Sequence, residues 1–175
     1  MKTILFFCIS SALLTTSIFL AGCAAGGDSG TPQTQKSDNS SGEPAAALAV
    51  AHWVKGESVD VSSGVHVVEF WATWCPPCLT SIPHLTELQE KYADRGVNII
   101  GVSDEKLATV EAFVKKMGDK MAYTVAIDAG ATSKGYMSKY GINGIPHAFV
   151  VKDGEVVWHG HPMAKLEAAI EDALK

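Results

Sequence analysis

Cysteine is scarce in this chain: four in 175 residues, namely Cys8, Cys23, Cys75 and Cys78. Cys8 lies in an apolar N-terminal leader and Cys23 at its end, which leaves Cys75 and Cys78 alone in the folded part. One closely spaced pair is no structural disulfide framework, because the loop it closes is too short to stabilise much. It also falls short of the four ligands that a closed zinc site wants. Basic residues form no block, and the net charge of −5 is spread along the chain, which argues against a nucleic-acid partner. Met117, Met121, Met137 and Met163 show no spacing that favours a methionine-rich metal site over packing.

The leader carries Lys2, a largely apolar run from Ile4 to Leu20, and the small-residue cluster Ala21-Gly22-Cys23. That layout is a secretory signal rather than a membrane span, which needs roughly 20 apolar residues. Leu20-Ala21-Gly22-Cys23 resembles a bacterial lipobox. The resemblance implies a signal peptide over 1–22 and Cys23 as the lipid-modified first residue of the mature chain. An uncleaved signal anchor is the competing reading. Either way the domain is tethered to a membrane outside the cytoplasm, on the periplasmic side or the cell surface. Residues 23–47 are expected to be anchor site and tether. Asp28 to Ala47 is rich in Gly, Ser, Thr, Gln, Pro and Ala without apolar periodicity, and such a segment reaches roughly 25 Å on average. Residues 48–175 fit one compact domain.

Within that domain Val65 to Trp71 is apolar and β-branched, as a strand buried on both faces would be. Pro76 to Asp94 predicts a helix with Leu79, Ile82, Leu85, Leu88 and Tyr92 inward, a kink at Pro83 and a stop at Gly96. Val97 to Val102 predicts a second buried strand. Glu105 to Met117 predicts an amphipathic helix with Leu107, Val110, Val114 and Met117 inward. Tyr123 to Ile127 reads as a short strand and Thr132 to Tyr140 as a short helix ended by Gly141. Asp153-Gly154 between His147–Val151 and Glu155–Trp158 is a hairpin signal, and Ala164 to Leu174 closes the chain as a helix. Strands alternating with helices, then a hairpin and a helix, imply a three-layer α/β fold with a mixed sheet.

Cys75-Pro76-Pro77-Cys78 opens the helix that follows the first buried strand. Two thiols separated by two residues at a helix start can close into a disulfide and reopen. The helix N-terminus carries partial positive charge, which favours a thiolate at Cys75, and proline suits the opening turn. Cys75, nearer the helix start, is the expected nucleophile. Cys78 then attacks Cys75 and releases the partner reduced. The rival is half of a zinc or copper site, with His147, His159 or His161 contributing.

Val67 to Cys78, followed much later by Tyr140-Gly141-Ile142-Asn143-Gly144-Ile145-Pro146, resembles the thioredoxin superfamily. With the leader, the tether and Gly101-Val102-Ser103-Asp104, the similarity is closer to its membrane-tethered TlpA/ResA-like branch. It extends over roughly Ala45 to Lys175, with an added central helix and strand from about Asp104 to Ile127. The resemblance implies a cis Ile145-Pro146 bond opposite the cysteines, with the Ile145 backbone exposed for an extended substrate segment. Glu69 stands where thioredoxin carries its buried acid, and burial would raise its pKa. A carboxyl titrating near neutrality could take the proton from Cys78 as that thiol attacks; the alternative is a Glu69 that reaches solvent at the strand's edge. Trp74, Pro76, Pro77, Ile145 and His147 are expected around the substrate, with Trp71 in the core. His159 and His161 are read as polar positions after the last strand, His66 and His84 as strand-edge and helix-face residues.

Together these features describe a tethered extracytoplasmic thiol–disulfide oxidoreductase with catalytic Cys75, Cys78, Glu69 and Pro146, no bound cofactor and no metal. The branch resemblance implies exported substrates with cysteine pairs, as in cytochrome c maturation, and a membrane protein as electron donor. Ile145 before the proline resembles reductive members, so a reductase is expected. The alternatives are a copper-binding metallochaperone and a thiol peroxidase. Against the latter, Thr73 lies only two residues before Cys75 and no arginine is near.

Overall fold

Val65–Phe70 is apolar on both sides of its pleat apart from Glu69, and all six of its residues are buried. A strand of that kind belongs at the centre of a sheet covered on both faces. The computed structural model describes residues 42–175. The leader, Cys23 and most of the expected tether lie outside the described residues. In chain order the first half holds β1 (Glu43–Pro44), β2 (Val50–Lys55), β3 (Val65–Phe70), α1 (Pro76–Tyr92) and β4 (Asn98–Ser103). The second holds α2 (Leu107–Met117), β5 (Thr124–Asp128), a single turn α3 (Ala131–Ser133), β6 (His147–Lys152), β7 (Glu155–Gly160) and α4 (Leu166–Ala173).

The seven strands form one sheet in the order β1-β7-β6-β3-β4-β5-β2. β3, β4 and β5 run parallel, while the other pairs are antiparallel. The α/β class and mixed sheet expected from the alternation are therefore present. Asp153 and Gly154 both take positive φ, 49° and 79°, the conformation of a tight primed turn between β6 and β7.

Alternation along β3 sends Val65, Val67 and Trp71 into one core with Ile82, Leu85 and Ile170 of the covering helices. Val68 and Phe70 face a second core with Tyr136, Phe149 and Val156. Each large side chain fully buried in either core contributes roughly 1.5–3 kcal/mol. α1 continues across Pro83 and ends in a 3₁₀ turn, Ala93–Arg95, capped by left-handed Gly96. Among the described residues no helix is long and apolar enough to cross a membrane.

The structure departs from the sequence expectations in five places. Glu43–Pro44 pairs with β7, so ordered pairing starts inside the stretch expected to be tether. Leu79 is 38% exposed rather than inward, since it lies about 100° around α1 from Cys78, at the flank of the face that buries Cys78, Ile82 and Leu85. The helix expected over Thr132–Tyr140 is one α turn followed by a π-helical segment, Lys134–Ser138. The incoming chain packs closely on this segment: a Cβ at Gly135 would lie 2.3 Å from Ala46 Cβ, and the Tyr136 hydroxyl donates to Ala46 O at 2.8 Å. His66 is not at a strand edge but buried between β4 and β6, its Nε2 2.7 Å from Ser63 O. His159 is within β7, not after it.

Candidate active site

β3 ends one residue short of a loop that the rest of the domain holds tightly. Trp71 N donates to Val102 O at 3.1 Å and Cys75 N to Ala72 O at 3.2 Å. Between them Glu105 grips Thr73 twice, accepting from Thr73 N at 2.6 Å and from Thr73 Oγ1 at 2.8 Å. A carboxylate accepting two donors from one residue fixes that residue's orientation as well as its position. In the sequence Glu105 marks only the start of a helix; an acid across the loop from a polar Thr has no local pattern to betray it.

Cys75 caps α1. Its backbone is extended and its Sγ accepts from Cys78 N at 3.3 Å, the role that Ser or Asp usually fills. Pro76 and Pro77 occupy the first turn, where a missing N–H costs nothing, and no acidic side chain stands in that turn. The positive end of the helix is thus unopposed by its own side chains. Cys75 and Cys78 are joined by a disulfide with Cα atoms 5.3 Å apart. Cys78 is wholly buried and Cys75 is 3% exposed, so Cys75 is the sulfur nearer solvent. Ser81 lies beneath, its hydroxyl donating to Cys78 O at 2.8 Å.

The Ile145-Pro146 bond is cis, as the resemblance implied. Cys75 Sγ lies 3.8 Å from Ile145 O, which sets the carbonyl beside the sulfur. Pro146 is buried and Ile145 half-buried. Trp74 stands 70% exposed at the rim, with Pro76 and Pro77 also exposed. Trp74 and Ile145 share a cleft of about 250 Å³ whose floor includes Phe70, Met137 and Ile142. Trp71 also lines this cleft, yet at 2% exposed it packs in the core.

Glu69 does not reach solvent. It is 1% exposed, on the same face of the sheet as the cysteines, and burial pushes its pKa up to about 8. Neither carboxyl oxygen has a hydrogen-bond partner among the described residues. His147, expected around the substrate, opens β6 directly after Pro146 and is half-buried. Its ring turns to the opposite face, against Phe149, with Nε2 3.1 Å from His159 Nδ1. Burial, then the charges of His159 and His161, hold its pKa down at about 4. Among the described residues no three His, Cys, Asp or Glu side chains are grouped to hold a metal ion.

The Redoxin family model matches residues 41–174. Over 92 residues, 51% of this chain and 50% of the relative, the chain is 41% identical to the thiol-disulfide oxidoreductase ResA of Bacillus thuringiensis (strain Al Hakam). Over 110 residues, 59% of each chain, it is 34% identical to the ResA of Halalkalibacterium halodurans. The chain thus spans about half the length of the curated relatives it matches. A solved thiol:disulfide interchange protein of the thioredoxin family from Chlorobium tepidum TLS superposes with a TM-score of 0.64 and 27% identity, covering 76% of this chain and 97% of that one. The fold is thioredoxin-like.

Proposed function

The chain belongs to the Redoxin family, and on that premise we propose that it is a protein thiol–disulfide oxidoreductase working through Cys75 and Cys78. The observation that carries this reading is the Cys75–Cys78 disulfide at the first turn of α1, with Cys78 sealed and Cys75 beside the Ile145 carbonyl.

In the reduced protein, Cys75 thiolate attacks one sulfur of a partner disulfide. The partner's S–S bond breaks, one partner thiolate leaves, and a mixed disulfide forms on Cys75. Cys78 then gives its proton to the Glu69 carboxylate and attacks Cys75 Sγ. The mixed disulfide breaks, the second partner thiolate leaves, and Cys75–Cys78 closes. Two electrons pass to the partner, and an external dithiol must restore the pair. The buried Cys78 supports its resolving role, since a bulky partner meets Cys75 first. Pro146 brings no N–H to the sulfurs, while Ile145 offers backbone for an extended segment. Trp74, Pro76 and Pro77, all exposed, support a substrate surface around Cys75.

The leader supports work outside the cytoplasm, with Cys23 as lipid anchor and residues 24–41 within the tether. Substrates are then exported proteins with cysteine pairs, cytochrome c precursors among them, and a membrane protein supplies electrons. Ile145 ahead of Pro146 supports a reductase. Replacing Cys78 with Ser should leave partners caught on Cys75, to be identified by mass spectrometry after non-reducing electrophoresis. If Cys75→Ser traps partners and Cys78→Ser does not, the assigned roles are wrong.

A further inference from the structure

Glu69, Trp71 and Tyr123 are 1%, 2% and 3% exposed, and the carboxyl oxygens, the indole Nε1 and the phenol hydroxyl all lack a hydrogen-bond partner among the described residues. Buried polar groups are paired in the great majority of cases, so three unpaired ones in one place ask for a reason. The sheet gathers them around a single spot. Glu69 stands directly across from Gly101 of β4. Trp71 lies two residues further along on the same face. A Cβ at Gly101 would lie 3.0 Å from both Trp71 Nε1 and Tyr123 Cε2, so the bare glycine is what lets both rings sit over it.

The three groups are complementary. An indole N–H only donates, a phenol has one O–H to donate, and an ionised carboxyl only accepts. We propose that Tyr123 and Trp71 are positioning residues for Glu69: their O–H and N–H close on the carboxylate, directly or through a water, and hold it ionised for the Cys78 proton. This rests on Glu69 being the proton acceptor of the proposed cycle.

The need for such donors comes from burial. Desolvation alone sets the Glu69 pKa near 8, which leaves the carboxyl largely protonated at neutral pH, and a protonated base takes no proton. Hydrogen bonds to the charged form bring the pKa back down. Tyr123 can serve as donor because burial, and then the charge of Glu69, raise its own pKa well above the ordinary value. Cys75, Cys78 and Tyr92 of this core are its further ionisable side chains, the two cysteines joined in the disulfide. Tyr92 of α1 donates its hydroxyl to Glu171 at 2.6 Å instead. α2 brings Phe113, 5.4 Å from the Trp71 ring, and Val110; β6 brings Ala148 and α4 brings Leu166. None of these is charged.

The test is stopped-flow reaction of the fully reduced protein with excess Ellman's reagent across pH, in which release of the second nitrothiobenzoate reads Cys78 attack on Cys75. Tyr123→Phe keeps the ring and removes the donor. It should move the midpoint of that phase up by about one pH unit, or roughly tenfold in rate below the midpoint. In a Glu69→Gln background the same substitution should change nothing, because the acceptor charge is gone. Gly101→Ala, which crowds both rings, should shift the midpoint in the same direction as Tyr123→Phe. An unmoved midpoint in Tyr123→Phe overturns the proposal, provided that Glu69→Gln itself moves it. So does a Tyr123→Phe effect that persists undiminished in the Glu69→Gln background, which marks a merely structural role. If Glu69→Gln leaves the profile untouched, the failure lies with Glu69 as acceptor. Titration of the Glu69 carboxyl by ¹³C NMR in the reduced protein reads the same shift without turnover.

Discussion

Glu69 and His147 lie on neighbouring strands: β3 and β6 pair so that Phe70 faces His147 and Glu69 faces Ala148. Both side chains leave water, one on each face of the sheet, and burial pushes both toward the neutral form, Glu69 up to about 8 and His147 down to about 4. Their surroundings differ. His147 shares a hydrogen-bond contact with His159 and packs its ring 5.2 Å from Phe149. Glu69 has no hydrogen-bond partner among the described residues and shares its core with two sulfurs. A buried neutral imidazole that finds a ring nitrogen on the next strand satisfies the fold. A buried acid in the core that holds the sulfurs has its charge set by burial against whatever donors close on it, and such perturbed carboxyls cluster at sites that move protons.

The widest separation between the two should appear in catalysis. Glu69→Gln is expected to slow the closing of Cys75–Cys78 by about a hundredfold near neutral pH, within the range for a lost general base. His147→Phe should stay within about twofold. Single-turnover rates on both variants measure this, and equal effects would erase the distinction.

Stability against pH separates them next, with opposite signs. The folded oxidised domain holds a proton on Glu69 that the unfolded chain has lost, so Glu69 contributes stability below the unfolded pKa of 4.5 that fades as pH rises toward about 8. At about 1.4 kcal/mol per unit, burial alone sets an upper bound of roughly 4 kcal/mol across three units, which donors from Tyr123 and Trp71 reduce. Urea midpoints at pH 5 and pH 8 should show the loss, and Glu69→Gln should flatten it. For His147 the folded pKa is depressed from 6.5 to about 4. Its contribution is present above 6.5 and is lost as pH falls toward 4. This effect is the smaller, since the ring is half-buried, and His147→Phe should remove it in urea midpoints measured between pH 4 and 7.

The parts of the fold legible in the sequence are those encoded locally. Val65–Phe70, the cysteines at the start of α1 and the Asp153-Gly154 turn each carry their signal within a few residues. The cis Ile145-Pro146 bond is legible only through resemblance to a family, since local sequence favours trans. What escapes depends on partners distant in the chain. The π-helical segment packs on Ala46, about ninety residues away. Strand pairing of Glu43–Pro44 needs β7. The contact of the His147 ring with His159 needs the next strand. Tyr123 reads as the opening of a short strand; nothing near it in sequence places it over Gly101.

The grip of Glu105 on Thr73 has a consequence for how far this domain can be dismantled. Glu105 stands at the entrance to α2, in the stretch that a minimal version of the fold would do without, yet it clasps the residue two before Cys75. An embellishment wired into the catalytic loop is no longer an accessory. Excising residues 104–127 to make a shorter protein would also free the loop bearing the sulfurs. Grafting Trp71–Cys78 into another scaffold would need an acid supplied at the same place.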